Sequence, residues 1–197
     1  TDEDFPFVFD AATSITQRGK LEVLNRLEEP VPAGWVIDQN GEALTDAGEC
    51  LRGFGRDEAA LLPLGGIGEL LGGHKGYGLA TMVEILSASL QTGSFLYGLT
   101  GIDEQGNPQP RKLGHFFMAI NIESFTSLDD FKKTTGSILR DLRAATKQPG
   151  CDRIYTAGGK EYESEKRVRR EGVVIVPNLL KDVHEIIETL QMDEYRA

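Results

Sequence analysis

The residues from 64 to 78 carry the densest chemical signal in this chain. They read Leu64-Gly65-Gly66-Ile67-Gly68-Glu69-Leu70-Leu71-Gly72-Gly73-His74-Lys75-Gly76-Tyr77-Gly78 and hold seven of its 23 glycines. Glycine lets a backbone come close to a ligand and adopt positive φ. The run leads into an apolar helix, read from Gly76 to about Thr92, and a helix amino terminus presents free N–H groups to an anion. Lys75 adds a positive charge where the helix dipole disfavours one by roughly 0.3–1 kcal/mol. A bound phosphate would reverse that cost. The plain alternative is a flexible loop with a solvated lysine. No Gly-Lys-Ser or Gly-Lys-Thr occurs, so this is not a P-loop. After Gly66 and Gly68 the next glycine is Gly72, one residue too far for the dinucleotide fingerprint. The residues specify an anion-binding loop and no more.

Two further stretches have a similar character. Asp10-Ala11-Ala12-Thr13-Ser14 places small and hydroxyl residues at a strand end before a helix, which suits either a ligand lying against the backbone or a plain N-cap. Gly158-Gly159-Lys160 is a small-small-basic turn before a second helix, or simply a surface turn. His74, His115 and His184 sit in unrelated contexts, so no Ser/His/Asp, Cys/His or metal-ligand spacing arises. No general acid can be named. Cys50 and Cys151 form no CxxC pair and read as two reduced thiols.

The elements that would position these stretches follow from periodicity and punctuation. Strands are expected at Phe5–Phe9, at Gly114–Glu123 as a central strand, and at Val173–Val176. A helix is expected from about Thr13 to Leu27, and Pro30 and Pro32 break the chain after it. Trp35–Asp38 is a short apolar piece, and residues 45–56 read as polar and irregular. Leu79, Met82, Val83, Leu86 and Leu90 recur at helical steps, and the small residues between them imply a helix packed on both sides. Ser127 caps a helix with the stripe Leu128, Phe131, Ile138, Leu139 and Leu142. A charged helix from about Tyr162 stops at Gly172, and Pro177 opens a last helix facing inward through Leu179, Leu180, Val183, Ile186, Ile187 and Leu190. Strands and helices interleave, so the class is mixed, α/β or α+β.

Bulk properties exclude some functions. With 31 acidic and 21 basic side chains the net charge is −10, which repels nucleic acid at long range. No apolar run reaches the roughly 18 residues of a membrane span, and cytoplasm is the default location. The chain starts at Thr1 and enters an apolar strand pattern after four residues, which suggests a preceding segment.

With these residues in hand, the chain resembles the carboxy-terminal part of the malate/L-lactate dehydrogenase family, which also contains ureidoglycolate, sulfolactate and diketogulonate oxidoreductases. The marks are Asp10–Ser14 followed by Gly19-Lys20, Leu62-Pro63-Leu64-Gly65-Gly66, His74-Lys75-Gly76-Tyr77-Gly78-Leu79, Gly114-His115-Phe116-Phe117 and the turn at Gly158. Their order and spacing extend from about Phe5 to Met192.

This resemblance implies a largely antiparallel, non-Rossmann nicotinamide-binding sheet covered by helices, with further helices at the carboxy-terminal end. It implies residues 1–150 as part of the nicotinamide-dinucleotide domain. Residues 151–197 would then supply a cofactor-contacting turn, a strand and a terminal helix packing on an amino-terminal segment. It implies a homodimer that interconverts small 2-hydroxy and 2-oxo acids by hydride transfer with NAD, NADP remaining open. By position, the cofactor contacts fall on Ala11, Ala12, Thr13, Ser14, Ile15, Thr16 and Gln17, on Lys75 and Gly76, and on Gly158, Gly159 and Lys160. Arg111 is a candidate clamp for a substrate carboxylate, against the commoner reading of a solvated loop arginine. One departure is large. The family's Ser-His-Gly motif, whose histidine transfers the proton, is absent, so no catalytic residue is expected in this chain. The chain reads as a fragment that is inactive alone. The rival reading is a non-catalytic nucleotide- or phosphate-binding module. No metal site is expected.

Overall fold

The structure is a computed structural model that describes residues 1–103 and 105–195. Six α-helices are α1 (Arg18–Leu27), α2 (Ala47–Gly55), α3 (Gly73–Ala88), α4 (Leu128–Ala144), α5 (Gly159–Glu171) and α6 (Pro177–Leu190). Two strands, β1 (Val36–Asp38) and β2 (Ala59–Leu61), pair antiparallel with Val36 opposite Leu61. The mixed α/β class holds.

The chain forms two compact units. One comprises Thr1–Ala11 and Met118–Val174, the other Ala12–Phe117 and Ile175–Ala197. The expected portions 1–150 and 151–197 each contribute to both.

The first unit contains α4 and α5. Ser127 caps α4 as its sequence implies, its hydroxyl accepting from the Asp130 N–H at 3.1 Å. Asp2 binds Arg140 at 2.9 Å, Glu3 pairs with Arg143, and Phe5 stacks on Tyr162 with centroids 5.0 Å apart. These contacts hold the amino terminus where a strand was expected. Phe5–Phe9 gains one ladder-like bond, from the Val8 N–H to the Ala157 carbonyl at 3.4 Å. Of the expected α4 stripe only Leu139 is buried, while Leu128, Phe131, Ile138 and Leu142 remain exposed.

The second unit contains the best-packed lobe. Leu21 of α1, Val31, Val36 of β1, and Ala47 and Cys50 of α2 form its buried core, with Leu24, Trp35, Leu44, Leu51, Phe54, Ala59 and Leu61 packed around it. Helix α2 replaces the irregular stretch expected at 45–56. Three glycines in nine residues hide it from a propensity reading, yet Asp46 caps it by accepting the Glu49 N–H at 2.6 Å. Gly53 is required there, because a Cβ would lie 2.7 Å from the Ala59 Cβ of β2. Helix α6 opens with Pro177 at its first turn, and Asn178 donates to the Arg26 carbonyl at the end of α1. Ile187 is buried, whereas Leu180, Ile186 and Leu190 are not.

The expected central strand Gly114–Glu123 is not a strand among the described residues, nor is Val173–Val176. A strand exists only where its N–H and C=O groups find a ladder. Instead, Lys112 to His115 lies along the end of α3. The Ser94 N–H donates to Lys112 at 2.8 Å and the Gln91 amide to the His115 carbonyl at 2.7 Å. Phe117, in the middle of the expected strand, is 87% exposed.

Candidate functional site

The glycine run and the part of the first stretch from Ala12 onward lie in the second unit and share one clasp. Helix α1 starts at Arg18 rather than near Thr13, because the backbone before it pairs elsewhere. The Ile15 N–H donates to the Leu62 carbonyl at 2.8 Å, and the Leu64 N–H donates to the Thr13 carbonyl at 3.2 Å. Ser14 donates from its hydroxyl to the Thr16 carbonyl, and Thr16 is buried. On the other side of Leu64 lies Gly76, where a Cβ would sit 2.1 Å from the Leu64 carbonyl oxygen. Leu64 thus joins Ala12–Gln17 to the amino end of α3. Both contacts are backbone-to-backbone, so the link does not depend on side-chain rotamers.

The glycines of the loop turn out to serve the loop itself. A Cβ at Gly73 would lie 1.9 Å from the Gly66 carbonyl oxygen, and one at Gly65 would lie 2.6 Å from Gly72. Helix α3 therefore begins at Gly73, three residues earlier than expected, with Gly72 in the left-handed region before it and no side-chain cap. Two amides of the opening turn are already engaged: Gly73 donates to Gly68 and Lys75 to Gly72, both at 2.9 Å. What the turn offers an anion is chiefly charge. The Lys75 side chain is exposed, has no acidic neighbour in the first turn of α3, and makes no hydrogen bond or ion pair among the described residues.

Beside this turn is a cavity of about 460 Å³ lined by Thr13, Tyr77, Ala80, Thr81, Val83, Glu84, Ile85, Ala88, Ser89, Phe95 and Leu96. Its size is in the range of ligand pockets. Glu84 accepts the Leu96 N–H at 2.9 Å, and Leu96 sits at φ 45°, a conformation uncommon for a branched side chain. Sequence reasoning placed Tyr77 in the glycine run and passed over Thr81 and Glu84 as positions on an apolar helix. Their spacing of four and then three residues, polar groups on one stripe of an otherwise apolar helix, is the signal that could have found them.

The third stretch lies in the first unit. Gly158 has φ 90°, and a Cβ there would meet the Pro6 carbonyl at 3.0 Å and the Val8 nitrogen at 3.2 Å. The Gly159 N–H donates to Thr156 at 2.9 Å, and the Lys160 ammonium lies 5.2 Å from the centre of the Tyr155 ring. Ala11 ends the first segment of the same unit. Arg111 belongs to the second unit, where it donates to the Thr100 carbonyl at 3.0 Å and lies over Gly101. Among the described residues no cluster of three or more His, Cys, Asp or Glu could hold a metal ion, and no helix is long and apolar enough to cross a membrane.

Comparison with known proteins decides the family. The family model described as malate/L-lactate dehydrogenase matches residues 1–184. The chain belongs to the malate/L-lactate dehydrogenase family. It is 40% identical over 181 residues to a malate dehydrogenase of Pyrococcus abyssi, covering 92% of this chain and 48% of that protein. It is 37% identical over 191 residues to a malate dehydrogenase of Pyrococcus horikoshii, covering 97% and 51%. The crystal structure of malate dehydrogenase from Entamoeba histolytica superposes with a TM-score of 0.87 at 41% identity, covering 96% of this chain and 52% of that one. The chain spans about half the length of the relatives it matches.

Proposed function

We propose that this chain carries the nicotinamide-dinucleotide side of an oxidoreductase that interconverts a small 2-hydroxy acid and its 2-oxo acid. The observation that carries the reading is the Leu64 clasp, which joins Thr13 to Gly76 within a chain that the family model matches over residues 1–184. The residues present suit such a cofactor. Lys75 is an exposed, unpaired cation at an uncapped helix entrance, and a largely apolar cavity with Thr13 and Tyr77 in its lining adjoins it. When bound, the nicotinamide supplies or accepts the hydride.

The roles of this chain's own residues follow. Lys75 holds a pyrophosphate by charge, as a compact ammonium does. Ala12–Gln17 and Gly76 present backbone to the cofactor, with Leu64 fixing their separation. Within the first unit, Gly158, Gly159, Lys160 and Ala11 are, taken by themselves, a second candidate cofactor-contacting surface. Arg111, whose guanidinium is only partly used by Thr100, clamps the substrate carboxylate. NAD is favoured over NADP. The two basic side chains near the first stretch are both occupied, Arg18 by Glu22 at 3.1 Å and Lys20 over the Trp35 ring at 5.3 Å. Among similar proteins, several are named as malate dehydrogenases and others as sulfolactate or ureidoglycolate dehydrogenases, so a malate-like 2-hydroxy acid is the substrate class. The proton-transferring histidine then comes from the half of the family's length that this chain does not match.

Titration with NADH, followed by cofactor fluorescence on the protein carrying both halves, tests this. Lys75→Ala is expected to weaken binding by about tenfold or more, the loss of one charge-assisted contact. Unchanged affinity sinks the cofactor assignment. The exposed, unpaired Lys75 ammonium also fits a second reading, a non-catalytic nucleotide-binding module. It predicts NADH binding with no oxidation of any 2-hydroxy acid, even when both halves are present.

A further inference from the structure

Arg143 lies in the last turn of α4, where the helix dipole favours a cation. Its guanidinium bridges two other segments of the first unit. Nη1 donates to the Thr156 hydroxyl at 2.9 Å, and Nη2 donates to Glu3 Oε1, 140 residues away in sequence. The Arg143 side chain is 20% exposed and that of Glu3 17%, whereas the nearby Arg140–Asp2 pair is 46% and 34% exposed. A covered pair adds little net stability, because desolvation offsets much of the attraction. Glu3 Oε2 is also buried with no hydrogen-bond partner among the described residues, which is a further cost. Stability alone is therefore a poor account of the bridge. What it does supply is a guanidinium held in one place, whose planar fork sets the position of the groups it binds.

Thr156 is the group so positioned, and it is the foot of the Gly158 turn. Thr156 is buried, and its carbonyl accepts the Gly159 N–H at 2.9 Å. The turn has little room to settle elsewhere, since a Cβ at Gly158 would meet the Pro6 carbonyl oxygen at 3.0 Å and one at Gly159 would meet the Phe5 ring at 3.7 Å. We propose that Arg143 is a positioning residue for the cofactor: through the Thr156 hydroxyl it holds the Gly158-Gly159-Lys160 turn in the place where it meets the dinucleotide. Arg143 acts through Thr156 and not by contact with the cofactor. Arg140, three residues earlier on α4, binds Asp2 and Ser137 and, among the described residues, no part of the turn. The proposal rests on the reading of that turn as a cofactor-contacting surface.

The test measures NADH affinity by cofactor fluorescence on the protein carrying both halves, with hydrogen exchange of the wild type read at residues 157–160. NADH is expected to slow that exchange. Arg143→Gln and Thr156→Val are each expected to weaken NADH binding about tenfold, the loss of one hydrogen bond to a charged group. The double variant should bind no more weakly than either single one, because both remove the same link. Thr156→Ser keeps the hydroxyl and should recover most of the affinity that Thr156→Val loses, whereas Arg140→Gln should bind as the wild type does. A packing role at Thr156 predicts the reverse order, since valine keeps the shape and serine loses a methyl group. If Arg143→Gln fails to fold, the valine and serine variants decide the matter by themselves. Wild-type affinity in Arg143→Gln and Thr156→Val overturns the proposal, and so does full additivity in the double variant. If NADH leaves exchange at residues 157–160 unchanged in the wild type, the turn is not a cofactor contact, and that reading falls together with the proposal. If exchange slows yet both substitutions bind normally, the proposal falls alone.

Discussion

The lobe of α1, α2 and the β1–β2 pair and the helix α3 lie in the same unit and differ sharply in how they are finished. In the lobe, Leu21, Val31, Val36 and Cys50 are almost wholly buried, and the segments that bury them lie within about forty residues of one another. In α3 only Gly73, Gly76 and Ala88 are buried, while the large side chains point outward. Both regions are rich in apolar residues, so composition alone does not separate them. Patterning does. Helix α1 alternates an inward Leu21 and Leu24 with Arg18, Lys20 and Glu22, and a single neighbouring layer satisfies it. Helix α3 carries only the narrow polar stripe of Tyr77, Thr81 and Glu84, and most of its circumference is apolar. A region that completes itself can be read from its own residues, whereas a region that does not cannot.

The largest effect that would test this contrast is truncation in the two cores. Leu21→Ala is expected to lower unfolding free energy by about 2–5 kcal/mol, the range for a buried leucine that leaves a cavity. Met82→Ala in the chain alone should change it by about 0.5 kcal/mol or less, because a half-exposed side chain buries little. Urea unfolding read by far-ultraviolet dichroism measures both. Equal losses at the two positions would mean that α3 is packed in solution and would erase the distinction.

Two glycines of α3 give the next largest effect. Gly76→Ala forces a methyl into the Leu64 backbone and is expected to cost about 1–3 kcal/mol, as overpacking does. Gly78→Ala meets nothing within 4 Å and should instead stabilise the helix by up to about 1 kcal/mol. Thermal melts of the two variants should move in opposite directions. If both stabilise, α3 is not anchored at Leu64 and the clasp fails.

The same contrast explains what the sequence made legible. Local signals translated directly. Ser127 caps α4, Gly172 ends α5 with φ 84°, and Pro177 opens α6, because each is decided by the backbone of a few neighbouring residues. The close backbone approach at residues 64–78 was legible from their glycines, but the job of each glycine was not. A glycine that lets a ligand approach and one that lets the Leu64 carbonyl approach look identical in sequence. Helix α2 was missed because Gly48, Gly53 and Gly55 argue against a helix, and the requirement at Gly53 comes from Ala59 across the lobe. Gly114–Glu123 was read as a strand from a continuous apolar run. The run is real, but a strand also needs a ladder, and no residue of the described chain supplies one.

The smallest effect compares one local device in two settings. Asp38, at the end of β1, accepts the backbone N–H groups of Asn40 at 2.8 Å and Glu42 at 2.9 Å. Asp103, in the loop after α3, accepts those of Gln105 at 2.9 Å and Asn107 at 2.8 Å. In both, backbone donors hold the carboxyl below the usual aspartate range, led by Glu42 for Asp38 and by Asn107 for Asp103. A depressed folded-state pKa gives stability that is full above the unfolded value of about 3.9 and is lost as pH falls through the folded value. Both turns should therefore loosen below about pH 4. The consequence should differ with the setting. Asp38 joins the turn to β1, whose Val36 lies in the core, so Asp38→Ala should raise hydrogen exchange throughout the lobe. Asp103→Ala should raise it only around residues 102–109, where the loop is tied locally by the Ile102–Pro108 bridge. If Asp103→Ala loosens the lobe as much as Asp38→Ala does, the lobe is not a self-contained folding unit, and the boundary between completed and uncompleted regions must be drawn elsewhere.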